Sequence, residues 1–203
     1  MLFSRFSIVA SLGLLAGPVA AQVFTIPPGA YRTAAAYHRR QPQPAGVDAF
    51  FPDKRGQLVV VVPNGPQKDK LRLAPDSLWG FATGKGKAFR FFRGQEYQLD
   101  FADTLCVYHT NTLDLPNGQR GYVGASTHMT GQALATPQYY FSRGLTGLLF
   151  PLTARFLREA YGTSNPVFVA EVAKLSFNES LSDFDRKTGL YRVTALYRKA
   201  AGK

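Results

Sequence analysis

The chain has little cysteine, little acidic charge and no long hydrophobic run after its first 21 residues. Cys106 is the only cysteine among 203 residues, so no disulfide can form within the chain and its core alone must stabilise the fold. The hydrophobic stretch at the start is too short for a dependable span, which takes roughly 20 apolar residues. The sequence therefore excludes a disulfide scaffold and predicts no transmembrane segment in the mature chain.

Familiar catalytic and metal-binding motifs are also missing. The sequence contains no Gly-x-Ser-x-Gly or His-Glu-x-x-His pattern and no convincing pair of catalytic carboxylates. Its three histidines lack the spacing of a zinc motif, and no second cysteine assists them: they are His38, His109 and His128. We therefore predict no metal and no cofactor, and whether the protein is an enzyme stays open.

The first 21 residues predict export. Arg5 provides a positive n-region, residues 6–16 provide an apolar h-region, and residues 18–21 end in the small side chains that a signal peptidase requires. No cysteine follows the cleavage site, so the sequence does not predict a lipoprotein. We expect a periplasmic or secreted protein, and the sequence does not distinguish between the two.

Basic residues outnumber acidic ones, 24 to 13, for a formal net charge of +11. Cleavage of the signal would remove Arg5 and leave +10. The charges are dispersed, which argues against a dedicated polybasic arm. An exported basic protein meets lipid head groups, cell-wall polymers and acidic polysaccharides. We therefore expect anionic envelope polymers or lipid surfaces as partners and no specific nucleic acid, and the oligomeric state stays open.

Hydrophobic periodicity predicts one α+β domain over residues 58–203. The preceding residues 22–57 are rich in proline, glycine and alanine and predict an extended lead-in with little regular structure. Within the domain, a β-branched run and several alternating segments predict an antiparallel meander. Its predicted strands are residues 58–62, 71–73, 78–82, 88–93, 97–101 and 105–109.

The C-terminal third changes to a helical period and predicts two helices, near residues 146–161 and 165–176, packed on one face of the sheet. We expect Pro151 in the first turn of the first helix, and Asn165 followed by Pro166 to begin the second. Residues 190–198 alternate again and predict a final strand that returns to the sheet, for five to seven strands in all.

Aromatic and basic residues alternate around the hairpin at residues 83–93. Exposed aromatic rings beside Arg or Lys can bind sugar rings or nucleic-acid bases. We therefore predict a set of residues that binds an anionic surface, made of Lys85, Lys87, Arg90 and Arg93. The same alternation also fits a strand whose aromatic side chains belong to the core, and this alternative stays open.

These features favour a non-enzymatic binding or envelope-associated module with a basic surface. The alternative is a hydrolase that acts on envelope polymers, with its site around residues 110–137, because catalytic groups concentrate on long loops. His109, Asp114 and His128 are the candidate residues for that alternative. Cys106 lies among core-forming residues, so we predict that its thiol is buried and inert.

Two short aromatic motifs resemble a known group of proteins. Residues 77–81 (Ser-Leu-Trp-Gly-Phe), with the later strand Phe89-Arg90-Phe91-Phe92, resemble a pattern in uncharacterised exported proteins of Bacteroidetes-type bacteria. Residues 140–145 resemble the element that precedes two helices in those proteins. The resemblance covers roughly residues 57–198. It implies a family of signal-bearing proteins with no established activity, and it transfers no catalytic residue.

Overall fold

The computed structural model describes residues 26–114, 120–122 and 136–202, so the predicted signal peptide lies outside the described residues. The helices are α1 (Ala34–His38), α2 (Ala154–Tyr161), α3 (Pro166–Ala173) and α4 (Arg192–Ala200). The strands are β1 (Gly29–Tyr31), β2 (Asp48–Phe50), β3 (Leu58–Asn64), β4 (Gln67–Leu73), β5 (Gly80–Ala82), β6 (Ala88–Phe92), β7 (Gln95–Phe101), β8 (Leu105–Asp114), β9 (Arg120–Tyr122), β10 (Thr136–Arg143), β11 (Phe150–Pro151), β12 (Phe184–Asp185) and β13 (Leu190–Tyr191).

Eight of the described strands form the main antiparallel sheet, and four of the six predicted meander strands lie at its centre as β5, β6, β7 and β8. The strand order is β1-β5-β6-β7-β8-β10-β11, and β9 pairs with the end of β8. Arg93 and Gly94 join β6 to β7 with positive φ angles of 51° and 74°, as in the type I′ turns that match the twist of paired strands. The α+β class and the antiparallel order of β5 to β8 are confirmed. The predicted strands at residues 58–62 and 71–73 are present as β3 and β4, but they belong to a separate sheet, β2-β3-β4, and not to the meander.

β10 is a strand that the sequence analysis did not predict. It pairs with β8 over its whole length, from Thr136 opposite Thr112 to Arg143 opposite Leu105. Strands β8 and β10 therefore extend into both ends of the segment predicted as a long loop, residues 110–137. The remainder of that segment, apart from β9, lies outside the described residues.

Both faces of the main sheet are covered. We call them the Tyr108 face and the Val107 face, because neighbouring residues of a strand point to opposite sides. On the Tyr108 face, α1 and residues 145–149 cover a cluster that includes Tyr31, Cys106 and Tyr108. The Val107 face is covered at one end by the second sheet, of order β2-β3-β4, and at the other by α2, α3 and α4.

Residues 26–57 are more regular than the sequence predicted. β1 pairs with β5 at the edge of the main sheet, and Tyr31 is fully buried. β2 pairs with β3 in the second sheet. Thr33 caps α1, where its hydroxyl oxygen accepts the backbone N–H of Ala36 at 3.0 Å. Strands of three residues are too short to show a hydrophobic period, so composition alone indicated an extended segment.

The two predicted helices are present as α2 and α3. Asn165 caps α3 as predicted, its Oδ1 accepting the backbone N–H of Phe168 at 3.0 Å, and Pro166 lies in the first turn. Pro151 differs from the prediction, because it pairs with Tyr140 in β11 and precedes α2. The residue that caps α2 is Thr153.

The predicted final strand over residues 190–198 is wrong beyond its first two residues. Leu190–Tyr191 pairs with Phe184–Asp185 and not with the main sheet, and α4 follows directly. Val193 and Tyr197 fit a strand period and a helix period equally well. Thr194 is buried and Ala195 is exposed, which fits only the helix, and packing of α4 against α3 and β8 decides between the two.

Candidate functional site

The four residues predicted to bind an anionic surface do not lie together. Lys85 and Lys87 are exposed in the turn between β5 and β6, and Arg93 is exposed in the turn at the other end of β6. β6 has five residues, which places the two turns about 16 Å apart. The exposed lysines and Arg93 therefore do not form one patch.

Arg90 is buried, so the surface role predicted for it is wrong. The residue is 5% exposed, and its guanidinium carbon lies 5.5 Å from the ring centre of Phe92 and 5.9 Å from that of Tyr108. Nη1 donates to the Tyr108 hydroxyl at 3.4 Å, and Nε has no hydrogen-bond partner among the described residues. No carboxylate of the described residues forms an ion pair with it. The guanidinium is buried because both faces of this strand are covered.

Tyr108 connects Arg90 to further buried polar groups. Its hydroxyl lies 3.1 Å from Ser142 Oγ, which donates to the carbonyl of Gly144 at 2.6 Å. Because the single hydroxyl proton of Ser142 is used there, the Tyr108 hydroxyl is the donor to Ser142. Burial raises the pKa of Tyr108 to about 12, so the phenol keeps its proton.

Cys106 is fully buried beside this chain of polar groups, as predicted. Its thiol donates to the carbonyl of Asp103 at 3.1 Å. Burial raises the pKa of the Cys106 thiol, and the neutral thiol is far less reactive than the thiolate. The burial is confirmed, and chemical inertness stays a prediction.

A basic row that the sequence analysis did not single out lies on β4. Lys68, Lys70 and Arg72 are exposed and occupy alternate positions, so their side chains share one face of the strand. Leu73, on the other face, packs against the core. Among the described strands β4 pairs only with β3, so the row borders an open sheet edge. We call these three residues the β4 row.

Two carboxylates lie near the β4 row, and both have partners. Asp53 Oδ2 accepts Arg72 Nε at 3.3 Å, and Asp69 Oδ2 accepts Asn64 Nδ2 at 2.8 Å. The backbone N–H of Gln57 is the largest of several causes that lower the pKa of Asp53. Two further exposed cations occupy the same turn as Asp53: Lys54 and Arg55.

A carboxylate–imidazole pair lies on the Val107 face. The register of β7 against β8 shifts between Leu99 and Phe101, and Asp100 occupies this β-bulge, a feature that re-aims side chains. Asp100 Oδ2 lies 2.6 Å from His109 Nδ1, and Oδ1 accepts Gln98 Nε2 at 3.2 Å. A carboxylate offers only acceptors, so Nδ1 carries the proton. The side chains of His109 and Asp100 are 16% and 8% exposed.

Two tyrosines complete this cluster. The rings of His109 and Tyr139 lie 5.9 Å apart, and those of Tyr139 and Tyr191 lie 5.8 Å apart. Burial, followed by the charge of Asp100, raises the pKa of Tyr191. Nε2 of His109 has no hydrogen bond to a described residue. With Nδ1–H held by Asp100, the neutral imidazole presents Nε2 as a proton acceptor.

The three residues of the predicted hydrolytic site are not brought together in the described part of the chain. His109 and Asp114 both lie on β8, and five residues of extended strand separate them by about 17 Å. His128 lies outside the described residues. The partner of His109 is Asp100, nine residues away in sequence and aligned by a bulge, for which no local sequence signal exists. The β4 row had a signal, the Lys-x-Lys-x-Arg spacing.

A cavity of about 530 Å³ opens between the β7–β8 turn and α4. Its lining residues are Asp103, Leu190, Ala195, Arg198 and Lys199. Arg198 lies 3.5 Å from Asp103, and Lys199 lies 3.1 Å from Glu171. Both cations therefore have acidic partners, and the cavity offers a charged ligand little uncompensated charge.

Residues 26–114, 120–122 and 136–202 contain no candidate metal site and no candidate membrane-spanning helix. No three His, Cys, Asp or Glu side chains in this part of the chain converge in a way that could hold a metal ion. No helix in it is long and apolar enough to cross a membrane.

Comparison with known proteins does not assign the chain to a family. A scan against protein-family models, a search of curated proteins and a search of solved structures find no match. The resemblance to exported proteins of Bacteroidetes-type bacteria therefore stays a prediction.

Proposed function

We propose that the protein is an exported, non-enzymatic module that binds anionic envelope polymers through the β4 row. The observation that carries this proposal is the arrangement of Lys68, Lys70 and Arg72 on one face of an exposed edge strand. Alternate residues of a strand are about 6.6 Å apart. A linear polyanion laid along β4 would therefore meet regularly spaced positive charges.

Two features favour the β4 row over the other exposed cations. Asp53 pairs with Arg72 and Asp69 keeps its charge, but Lys54 and Arg55 in the adjoining turn keep the local balance positive, with five cations against two carboxylates. The open strand edge also leaves backbone N–H groups available to oxygen acceptors. Lysines on an edge strand also oppose pairing with another sheet, so the proposal requires a direct binding test.

The test is retention on heparin, an acidic polysaccharide, at increasing salt concentration. The triple variant Lys68→Gln, Lys70→Gln, Arg72→Gln should elute at much lower salt than the unmodified protein, because screened charge contacts cause the retention. The matched control Lys85→Gln, Lys87→Gln, Arg93→Gln removes equal charge from two turns that do not form one patch. Equal losses of heparin retention in both variants, or retention that does not change with salt concentration, would contradict the proposal.

A second candidate function is hydrolysis of an envelope polymer, and the Asp100–His109 pair favours it. In this mechanism Asp100 orients the imidazole, and Nε2 of His109 takes a proton from water as the water oxygen forms its bond to the substrate carbon. The resulting imidazolium returns that proton to the leaving oxygen of the polymer as the old carbon–oxygen bond breaks. The variant His109→Gln should abolish hydrolysis of acidic polysaccharide, and His38→Gln, an exposed histidine on α1, should leave it unchanged. Absence of any released product with the unmodified protein would exclude this function.

A further inference from the structure

The second sheet, β2-β3-β4, has an outer face that points away from the main sheet. Its inner face carries Ala49 and Val60, which are buried in the core between the two sheets. Residues that pair directly in antiparallel strands point to the same side of a sheet. Phe50 pairs with Val59, and Val59 pairs with Arg72. These three side chains therefore form one row across the outer face.

Two further rows continue this outer face along the strands. Asp48, Val61 and Lys70 form the second row, and Pro63 pairs with Lys68 in the third. Neighbouring strands lie about 4.8 Å apart, so the side chains of β2 and those of β4 stand about 10 Å from each other, with β3 between them. We call this arrangement the β2–β4 trough, in which β3 is the floor and β2 and the β4 row are the two walls.

One wall of the trough carries an aromatic ring and the other carries cations. Phe50 is 41% exposed. Lys68 and Lys70 are exposed and form no ion pair with a described residue. Arg72 pairs with Asp53 at 3.3 Å. The two lysines are therefore the cations of this wall that remain available to a ligand.

The floor of the trough is apolar and partly open. Val59 is buried between its neighbours Phe50 and Arg72, whereas Val61 is half-buried and Pro63 is exposed. An apolar floor beside an aromatic ring suits the face of a sugar ring that carries only C–H groups. The structure therefore offers such a ring a place over Val61, between the aromatic wall and the lysines.

The charge balance of the trough is positive. Residues 46–73 contain five cations and three carboxylates, Asp48 included, for a net charge of +2. Asp48 is the carboxylate on the β2 wall, and its Oδ1 accepts two backbone N–H groups at 2.8 and 2.7 Å. Asp53 pairs with Arg72, and Asp69 lies at an alternate position of β4 that points to the other face. The trough therefore attracts an anion.

We propose that the β2–β4 trough binds a polysaccharide of uronic acids, with a sugar ring against Phe50 over Val61 and the sugar carboxylate at Lys70. This inference rests on the function proposed for the β4 row and names the class of polymer. The aromatic wall favours a sugar over a linear phosphate polymer, which has no apolar ring face to stack. Single-stranded nucleic acid stacks successive bases on several aromatic rings, and the described part of the trough presents one.

The first experiment compares the affinities for two polyanions, polygalacturonate and inorganic polyphosphate, at one salt concentration. Phe50→Ala should lower the affinity for polygalacturonate roughly fivefold, because the sugar ring loses an apolar contact. The same variant should bind polyphosphate as the unmodified protein does. The control Phe184→Ala removes a ring of similar exposure, 52%, outside the trough and should change neither affinity. Phe50→Trp keeps an aromatic wall and should retain polygalacturonate binding.

The triple variant Lys68→Gln, Lys70→Gln, Arg72→Gln separates this inference from the function on which it rests. It should lower the affinity for both polymers roughly tenfold or more. If it lowers neither affinity, the function proposed for the β4 row fails and this inference fails with it. If it lowers both, but Phe50→Ala leaves polygalacturonate binding unchanged or weakens both polymers equally, the β4 row stands and the assignment to uronic acids is overturned.

The second experiment detects the sugar contact directly. The emission of Phe50→Trp should change when an oligosaccharide of galacturonic acid is added and should not change with polyphosphate, and the emission of Phe184→Trp should respond to neither. The unmodified protein gives the background from Trp79. An emission of Phe50→Trp that responds to single-stranded DNA and not to the oligosaccharide would overturn the proposal and assign the trough to nucleic acid.

Discussion

The two faces of the main sheet hold charged groups in opposite ways. On the Tyr108 face, Arg90 is stacked between two aromatic rings and lacks any carboxylate partner among the described residues. On the Val107 face, Asp100 accepts hydrogen bonds from His109 and Gln98. The Arg90 guanidinium packs against the faces of aromatic rings, whereas the Asp100 carboxylate is stabilised by hydrogen-bond donors.

This difference follows from the chemistry of the two ions. A guanidinium is weakly hydrated and planar, so aromatic faces compensate part of its lost hydration. A carboxylate is strongly hydrated and accepts only hydrogen bonds, so a buried one needs several donors. We therefore expect removal of Asp100 to cost more stability than neutralisation of Arg90.

The largest effect is expected for Asp100→Ala. This variant leaves the donors of His109 and Gln98 without their acceptor, so the free energy of unfolding should fall by about 3 kcal/mol. Denaturant titration measures this change. Asp76→Ala, at an exposed carboxylate, should change stability by about 0.5 kcal/mol or less. Similar values for the two variants would show that the Asp100 cluster does not stabilise the fold.

The stability of the protein should depend more on the volume of the Arg90 side chain than on its charge. Arg90→Ala removes the aliphatic stem between the rings and should cost about 2–3 kcal/mol. Arg90→Met keeps comparable volume without the charge and should stay within about 1 kcal/mol of the unmodified protein. Thermal and denaturant unfolding of both variants test this. If Arg90→Met loses as much stability as Arg90→Ala, the charge itself is required and the comparison between the faces fails.

Glu96 provides a carboxylate on the Val107 face with none of the donors that Asp100 has. Burial raises the pKa of Glu96 to about 7, so between its ordinary value and 7 the folded state holds a proton that the unfolded state releases. Stability should therefore fall as pH rises through this window. Glu96→Gln should be more stable than the unmodified protein by about 2 kcal/mol at pH 8 and equal to it near pH 4. A difference that does not depend on pH would contradict this.

The smallest effect is expected for Cys106→Ser. A hydroxyl at this position can donate to the Asp103 carbonyl as the thiol does, but it replaces a larger and more apolar sulfur at a fully buried site, so stability should fall by about 1 kcal/mol. The native unmodified protein should react with a thiol reagent far more slowly than the denatured protein. Equal labelling rates would mean that the thiol is accessible to solvent and that β8 is not packed in the core.

The sequence predicted helices and strands correctly where the hydrophobic pattern repeats over several residues. The meander around Phe89–Phe91 and Tyr97–Leu99 alternates over several residues, and the cap at Asn165–Pro166 is local chemistry. The strand prediction for residues 190–198 was wrong because Val193 and Tyr197 fit both a strand period and a helix period. The helix is selected by contacts with α3, and these contacts cannot be read from residues 190–198 alone. Strand β1 was not predicted because a strand of three residues is too short to show a hydrophobic period.

The candidate sites were less predictable than the fold. Arg90 was expected at the surface because alternation indicates which residues share a face but does not indicate whether that face is covered. The Asp100–His109 contact depends on a bulge, which shifts register by a residue and leaves no mark in the alternation of β7. The β4 row was readable from the sequence, since its three cations alternate beside Leu71 and Leu73.

The placement of β1 has a consequence for the order of folding. Strands β5 to β8 follow one another along the chain and are neighbours in the sheet, so their pairing closes only short loops. β1 pairs with β5 across a separation of about fifty residues, and closing a loop of that length costs more chain entropy before any contact forms. We therefore expect β1 to dock after the meander has formed, and mutations around Tyr31 to accelerate unfolding with little effect on the folding rate.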